Sequence, residues 1–377
     1  MPARVNSDRA SLAPTPSAPP SEHAAVGFGV YVHIPFCTKR CDYCAFATWT
    51  DKAHLAERYV DACRREIGRA ALPAATSVFV GGGTPSLLPG AQLASILMDI
   101  NLVAGAEVTV ECNPDTVTED LLREYRGAGV NRISLGVQSM VPHVLKALGR
   151  THDPDNVQRA VAMVRRGGFA SFNVDLIYGA TGESLVDWRH SLESALALDA
   201  PHVSAYGLTV EPGTPLADDV ARHPDDDDQA DKYLIAEELL TAGGLANYEI
   251  SNWSLPGHEC RHNLLYWTQG NYSGIGCAAH SHHNGRRWWN HRTPERYIAS
   301  IDAGETPVSA EETLNVDERN FESAELALRM RSGVPVDVLD LTDPSLEPLL
   351  EPAGSGYVRL NVAGRLLANE VAVRLRT

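Results

Sequence analysis

Short runs dense in valine, isoleucine and leucine alternate along the chain with longer stretches in which apolar residues recur every three to four positions. The runs Val30–Ile34, Ser77–Gly81, Glu107–Glu111, Arg132–Gly136, Ser171–Ile177 and His202–Gly207 have the length and residue types of strands. Between them, His54–Ala70, Glu119–Gly127 and Asn156–Arg166 carry a helical period. Thr116 followed by Glu119 has the form of a capping box. Asp225–Asp228 predicts the start of a helix running to about Ala242, because carboxylates are favoured at the positive end of a helix dipole. Strands alternating with helices imply parallel βαβ units.

The residues that packing does not explain sit where these strands end. Cys37 follows the first run, Gly81–Ser86 the second, and Glu111–Pro114 closes the third. Gln138 and Ser139 follow the fourth, Asp175–Gly179 ends the fifth, and Thr209–Glu211 trails the sixth. In a parallel barrel the C-terminal strand ends share one face, and that face carries the active site. The expected class is therefore α/β, an incomplete (β/α)6 barrel open at one side, with a smaller C-terminal α+β domain.

Beyond residue 250 the alternation stops. Residues 251–310 are rich in Trp, His, Asn and Gly, residues 317–340 recover a helical pattern, and the chain from Gly356 reads as a turn and two short strands around Asn361–Gly364. Residues 1–26, rich in Ala, Pro and Ser, read as a disordered tail. The expected organisation is a tail over 1–26, the barrel over 27–250, a connecting segment over 251–310 and a winged-helix-like domain over 311–377.

With 377 residues and 44% hydrophobic content, the chain can bury one large core and a smaller one. A formal charge of −16 argues against a general binder of nucleic acid or anionic membrane surfaces. No apolar run reaches the ~20 residues of a transmembrane helix, and no signal-peptide core is present. An odd count of 7 cysteines argues against a disulfide framework. The expected compartment is the cytoplasm.

Three of those cysteines, Cys37, Cys41 and Cys44, form a C-x3-C-x2-C pattern. Chance would produce it roughly 0.002 times in a chain of this composition. Three thiolates on one loop can hold three irons of a four-iron, four-sulfur cube, leaving the fourth iron open to a small chelator. A zinc knuckle completed by a histidine is the alternative, although structural zinc sites usually pair C-x2-C units.

The spacing and its setting resemble the radical S-adenosylmethionine (SAM) superfamily, in which the open iron binds SAM and an electron from the cluster cleaves it. The resemblance extends to the run His33–Cys37, the Gly81–Ser86 and Glu111–Pro114 segments, Arg132–Ser139, Asn173–Gly179 and Tyr248–Asn252, which together look like the HemN/HemW branch. It implies a [4Fe-4S] cluster on Cys37, Cys41 and Cys44, and SAM held by Gly82, Gly83 and Thr84 of the glycine run. It further implies that Arg150 and Glu111 meet the methionyl carboxylate and its polar neighbours, and that Asp175 meets the ribose, with Gln138 in the same cradle. Tyr31 is expected beside the cluster-bound methionine, Phe46 beside the adenine, and Thr209 and His280 at the remaining nucleoside contacts.

Within the branch, the oxygen-independent coproporphyrinogen III oxidase carries a further cysteine two residues after the third, where this chain has Phe46. The oxidase also has a longer N-terminal region. Both departures favour the HemW heme-chaperone family, as does His262-Asn-Leu-Leu-Tyr-Trp267, which matches its H-N-x-x-Y-W motif. Six of the 14 histidines fall between His258 and His291. Neutral imidazole is a common axial ligand of heme iron, and His262 is the leading candidate, with Cys260 two residues earlier. The alternative for His262 is hydrogen-bonded packing at a domain junction. Arg261, Arg286, Arg287 and Arg292 are candidates for heme propionates, and Trp267, Trp288 and Trp289 for covering the macrocycle. Cys63, Cys112 and Cys277 read as core. The resemblance implies a protein that binds heme and hands it to an acceptor protein, with a flavodoxin or ferredoxin as electron donor. The oxidase is the alternative.

Overall fold

The computed structural model describes residues 27–376, so the expected tail over 1–26 lies outside the described residues. The first half of the chain alternates as its pattern predicts. β1 (Phe28–Ile34), β2 (Ala75–Gly82), β3 (Leu102–Cys112), β4 (Arg132–Gln138), β5 (Ser171–Tyr178) and β6 (His202–Gly207) each contain one expected strand. Between and after them run α1 (Ala56–Ala70), α2 (Gly90–Met98), α3 (Glu119–Gly127), α4 (Pro142–Ala147), α5 (Pro154–Arg166), α6 (Leu185–Ala197) and α7 (Asp226–Ala242). The cap of α3 differs from expectation: Thr118 accepts from the Leu121 amide at 3.2 Å. Thr116 instead donates to the Asn113 carbonyl at 2.8 Å. The acidic run opens α7 as expected, with Asp225 accepting from the Asp228 amide at 2.9 Å.

β1 to β6 pair in parallel, in chain order. Their side chains alternate strictly. One set, including Val78, Val80, Val108, Val110, Ile133, Leu135, Val174, Leu176 and Val203, is buried in the main apolar core with residues of the flanking helices. The other set is mostly polar, with Ser77, Glu107, Thr109, Glu111, Arg132, Ser134, Asn173, Asp175, His202 and Ser204 beside the apolar Phe79 and Ile177. Register stacks it in layers, with Glu111 opposite Ser134, Ser134 opposite Asn173, and Asn173 opposite His202. Period two along each strand thus separates a greasy outer face from a hydrogen-bonded inner one.

The remaining strands extend this sheet. β7 (Ala246–Glu249) and β8 (Asn252–Ser254) add antiparallel beyond β6. After α8 (Arg261–Trp267), β9 (Asn271–Ile275) pairs in parallel with β1. β10 (His280–His283), β11 (Arg286–Asn290) and, after α9 (Pro294–Ala303), β12 (Val308–Thr313) continue antiparallel. The 12-stranded sheet runs from β12 to β7 and stays open, since those two strands are its edges. Residues 251–310 therefore supply sheet strands as well as connections, and residue 311, where the C-terminal domain was expected to begin, falls inside β12.

α10 (Val316–Leu328) leads to a three-stranded sheet of β13 (Val334–Pro335), β14 (Leu350–Gly354) and β15 (Tyr357–Leu360), followed by α11 (Val362–Leu366) and α12 (Ala368–Ala372). The strand expected after Asn361 is instead helix, capped by the Asn361 side chain on the Gly364 amide at 2.9 Å. Leu328, Val334, Leu339, Leu346, Leu360 and Val371 form a second small core. It is tied to the barrel where Arg365 pairs with Glu237 of α7 at 2.8 Å.

Candidate functional site

The loop after β1 holds the three cysteines and is pinned at its base. Phe36 bridges Trp49, the Cys37 amide donates to the Trp49 carbonyl at 3.0 Å, and the Trp49 amide donates to the Pro35 carbonyl at 2.8 Å. The loop then reaches across the open side of the sheet. Arg222, from beyond β6, pairs with Asp42 at 2.8 Å, and the Leu216 amide donates to the Asp42 carbonyl at 3.0 Å. Loops, not strands, complete the ring at the C-terminal ends.

Beneath this loop lies a cavity of about 460 Å³, whose wall includes Cys37, Cys41, Cys44, Gly82, Gly83, Thr84, Glu111, Gln138, Arg150, Asp175 and Thr209. Residues from all six strand ends meet there, as the barrel reading requires. Thr84 Oγ1 lies 3.7 Å from Cys37 Sγ, and Arg150 Nη1 lies 3.7 Å from Cys41 Sγ. The glycine run is sterically enforced. Gly82 has φ +107°, and a Cβ there would come within 2.4 Å of the His33 ring, while one on Gly83 would come within 2.7 Å of the Phe36 carbonyl oxygen. The backbone therefore passes closer to β1 than any side chain allows.

The cavity's charges are incompletely paired. Burial, with Asp175 nearby, raises the Glu111 carboxyl to about 8, and among the described residues its one hydrogen bond comes from the Gly82 amide at 3.2 Å. The Nε of Arg150 is buried without a partner among the described residues. Burial also pushes the thiols of Cys37 and Cys44 above the ordinary cysteine range. Asp175 is held by Ser134 Oγ at 2.8 Å and Asn173 Nδ2 at 2.6 Å. A carboxylate lacking a cation and a guanidinium lacking an anion, set beside three thiols, fit a ligand with an ammonium, a carboxylate and a metal cluster. Among the described residues no three His, Cys, Asp or Glu side chains are arranged to hold one metal ion. A cube takes each thiolate on a different iron, so its ligands need not converge on one point.

Two expected contacts lie elsewhere. Tyr31 and His280 line a second cavity of about 560 Å³, which shares only Ala45 and Phe46 with the first. His280 is therefore not in the wall around the cysteines, because β10 sits beyond β9 on the far side of β1. Phe46 is 66% exposed and stands between the two cavities. Tyr43, which the sequence did not single out, lines the cysteine cavity together with Asn113 and Tyr206. Its signal was present, an aromatic side chain inside the ligand loop itself.

His262 corrects a further expectation. It is fully buried on α8, which plugs the N-terminal end of the sheet. Its Nδ1 lies 2.9 Å from Ser77 Oγ and its Nε2 2.7 Å from Tyr266 Oη. Burial lowers the imidazole to about 3. Both nitrogens are committed, so none is free for iron. The structure supports the packing alternative. Cys260 is equally unsuited, its thiol buried against Glu107 and pushed up to about 12. The same Glu107 accepts from the Arg261 and His262 amides, both at 3.1 Å. Arg286 pairs with Glu311 and lies over Trp288, and Arg287 pairs with Glu312 and Glu322. Cys63, Cys112 and Cys277 are core, as expected.

The parallel strands, the loop that seals them and the three-cysteine cavity define a radical SAM scaffold, and the Radical SAM superfamily profile matches residues 31–195. Coproporphyrinogen III oxidase (HemN) from Escherichia coli, a radical SAM enzyme, superposes with TM-score 0.79 at 24% identity, over 92% of this chain and 89% of its own. The heme chaperone HemW of Mycobacterium tuberculosis is 42% identical over 96% of this chain and 95% of its own length. HemW of Bacillus subtilis is 33% identical over 90% of this chain and 97% of its own. HemW of Escherichia coli K12 is 40% identical over 67% of this chain and 69% of its own. The chain belongs to the HemW family. The cofactors of that family are a [4Fe-4S] cluster and SAM.

Proposed function

We propose that this protein is a heme chaperone, binding heme and delivering it to an acceptor protein in the cytoplasm. The observation that carries this reading is near-full-length similarity to heme chaperones, 42% identity over 96% of the chain. Phe46 in place of a fourth cysteine supports the same reading. The likeness to the coproporphyrinogen oxidase is one of fold.

Cys37, Cys41 and Cys44 would hold three irons of the cluster, and Gly82, Gly83, Thr84, Glu111, Gln138, Arg150 and Asp175 would cradle SAM. When bound, such a cluster supplies one-electron chemistry at its open iron, drawing on a low-potential donor such as a flavodoxin or ferredoxin. Around it, Glu111 offers a carboxylate to the ammonium of SAM and Arg150 a guanidinium to its carboxylate. Asp175, fixed by Ser134 and Asn173, would accept from a ribose hydroxyl.

The test is an anaerobic assay of cluster-reconstituted protein with SAM and a reductant. One sample receives heme and a parallel one coproporphyrinogen III, followed by absorbance and product analysis. Stoichiometric heme uptake, transfer to an acceptor and no decarboxylation is the expected result. Multiple turnovers to protoporphyrinogen would overturn it.

A further inference from the structure

The second cavity is built differently from the first. Its wall combines aromatic rings, from Phe46, Tyr266 and Tyr272, with histidines and arginines. At about 560 Å³ it falls in the range that encloses organic ligands. It opens on the far side of Phe46 from the cysteines.

We infer, resting on the heme-chaperone reading above, that heme is seated in this second cavity with His280 as an axial ligand of its iron and Phe46 between macrocycle and cluster.

The inference comes by elimination among the three histidines of the wall. His33 is spent: Nδ1 lies 3.0 Å from Tyr31 Oη and Nε2 2.9 Å from the Ala47 carbonyl. His282 is spent as well, Nδ1 on the Gly270 carbonyl at 2.9 Å and Nε2 accepting from the Gly285 amide at 2.9 Å. His280 alone has no hydrogen bond to its ring among the described residues. Its ring stacks on Trp289, centroids 5.5 Å apart and planes at 22°, which fixes the imidazole plane and leaves its nitrogens open. The ring is exposed, yet partial desolvation, with Arg287 nearby, lowers its pKa, so a neutral lone pair is available near pH 7.

The charges divide in the same way. Arg287 is committed to Glu312 and Glu322, and Arg286 to Glu311. Arg292, exposed on the wall of the same cavity, has no carboxylate within salt-bridge distance among the described residues. It is the cation left for a heme propionate.

The test is heme titration of the full-length, cluster-reconstituted protein, followed by absorbance and resonance Raman spectroscopy. Wild type is expected to bind heme with an imidazole-ligated spectrum. His280→Ala is expected to weaken binding on the order of tenfold or more and to lose that signature. In His280→Gly, added imidazole is expected to restore it. Heme bound by wild type with spectrum and affinity unchanged in His280→Ala would overturn this seat while leaving the chaperone reading intact. Wild type that takes up no heme would overturn both.

Discussion

The Nε2 of His262 lies 2.7 Å from the hydroxyl of Tyr266, one turn further along α8, and the Tyr266 ring forms part of the wall of the second cavity. The histidine of the H-N-x-x-Y-W motif thus reaches that cavity only through the tyrosine of the same motif. Ser77 holds its other nitrogen from the inner face of β2, and Phe79 stacks on the ring with centroids 5.6 Å apart. His262 is a positioning residue.

His262→Ala should therefore act on stability first. It leaves a void in a fully buried site and strips the Ser77 and Tyr266 hydroxyls of a partner, a loss of about 2–4 kcal/mol. Heme affinity should fall with the displacement of Tyr266, while the spectrum of heme that does bind keeps its imidazole signature. Tyr266→Phe, which removes one hydrogen bond and little volume, should cost only about 1–2 kcal/mol. Thermal melts alongside heme titrations check both. An imidazole signature lost in His262→Ala with melting unchanged would contradict this role.

Cys41→Ala should remove the cluster and spare the fold. The cysteine is partly exposed on a loop pinned at its base by backbone bonds that do not involve its side chain. The expected stability change is within about 1 kcal/mol. The cluster's visible absorbance should vanish after reconstitution, and heme uptake should persist, because the two cavities share only Ala45 and Phe46. Iron quantitation and heme titration of one preparation would check this.

The glycine run offers a graded comparison. Gly82→Ala adds a Cβ 2.4 Å from the His33 ring at φ +107° and should destabilise by about 2 kcal/mol or more, since the ring is held by the Tyr31 hydroxyl and the Ala47 carbonyl. Gly182 also has positive φ, +78°, but nothing within 4 Å, so Gly182→Ala should cost only about 1 kcal/mol. Chemical denaturation of the two variants side by side checks the order. Equal costs would mean that the close approach to His33 is not maintained in solution.

These contrasts mark how far the sequence reaches. The six parallel strands were legible from their length and residue types, and part of the cysteine cavity because Cys37, Gly82, Glu111, Gln138 and Asp175 fall at or just beyond strand ends, whereas Arg150, beyond α4, was expected only from the family resemblance. The division into two cavities was not legible. It depends on β9 inserting beside β1, which carries His280 to the far side of Phe46. The state of His262 was equally hidden, because its partner Ser77 lies 185 residues away in sequence. Thr116 and Thr118 show the same limit at short range: both precede α3, and only backbone geometry selects Thr118 as the cap.

Glu111 gives the pH dependence. In the unfolded chain it titrates near ~4.3, whereas burial and the nearby Asp175 raise it to about 8 in the folded protein. Between those values the native state binds more protons than the unfolded one, so stability must fall as pH rises through this window and level off above about 8. Glu66 and Glu249, raised by burial to about 7, add to the fall in the same direction. The contribution of Glu111 is isolated by Glu111→Gln, which keeps an oxygen for the Gly82 amide and carries no charge at any pH. The variant should match wild type near pH 4 and become progressively more stable than it toward pH 8. Melting temperatures of the cluster-free proteins across that range decide the point. Parallel profiles would show that the carboxylate finds a compensating cation even without ligand, and Arg150 would then be the group to examine.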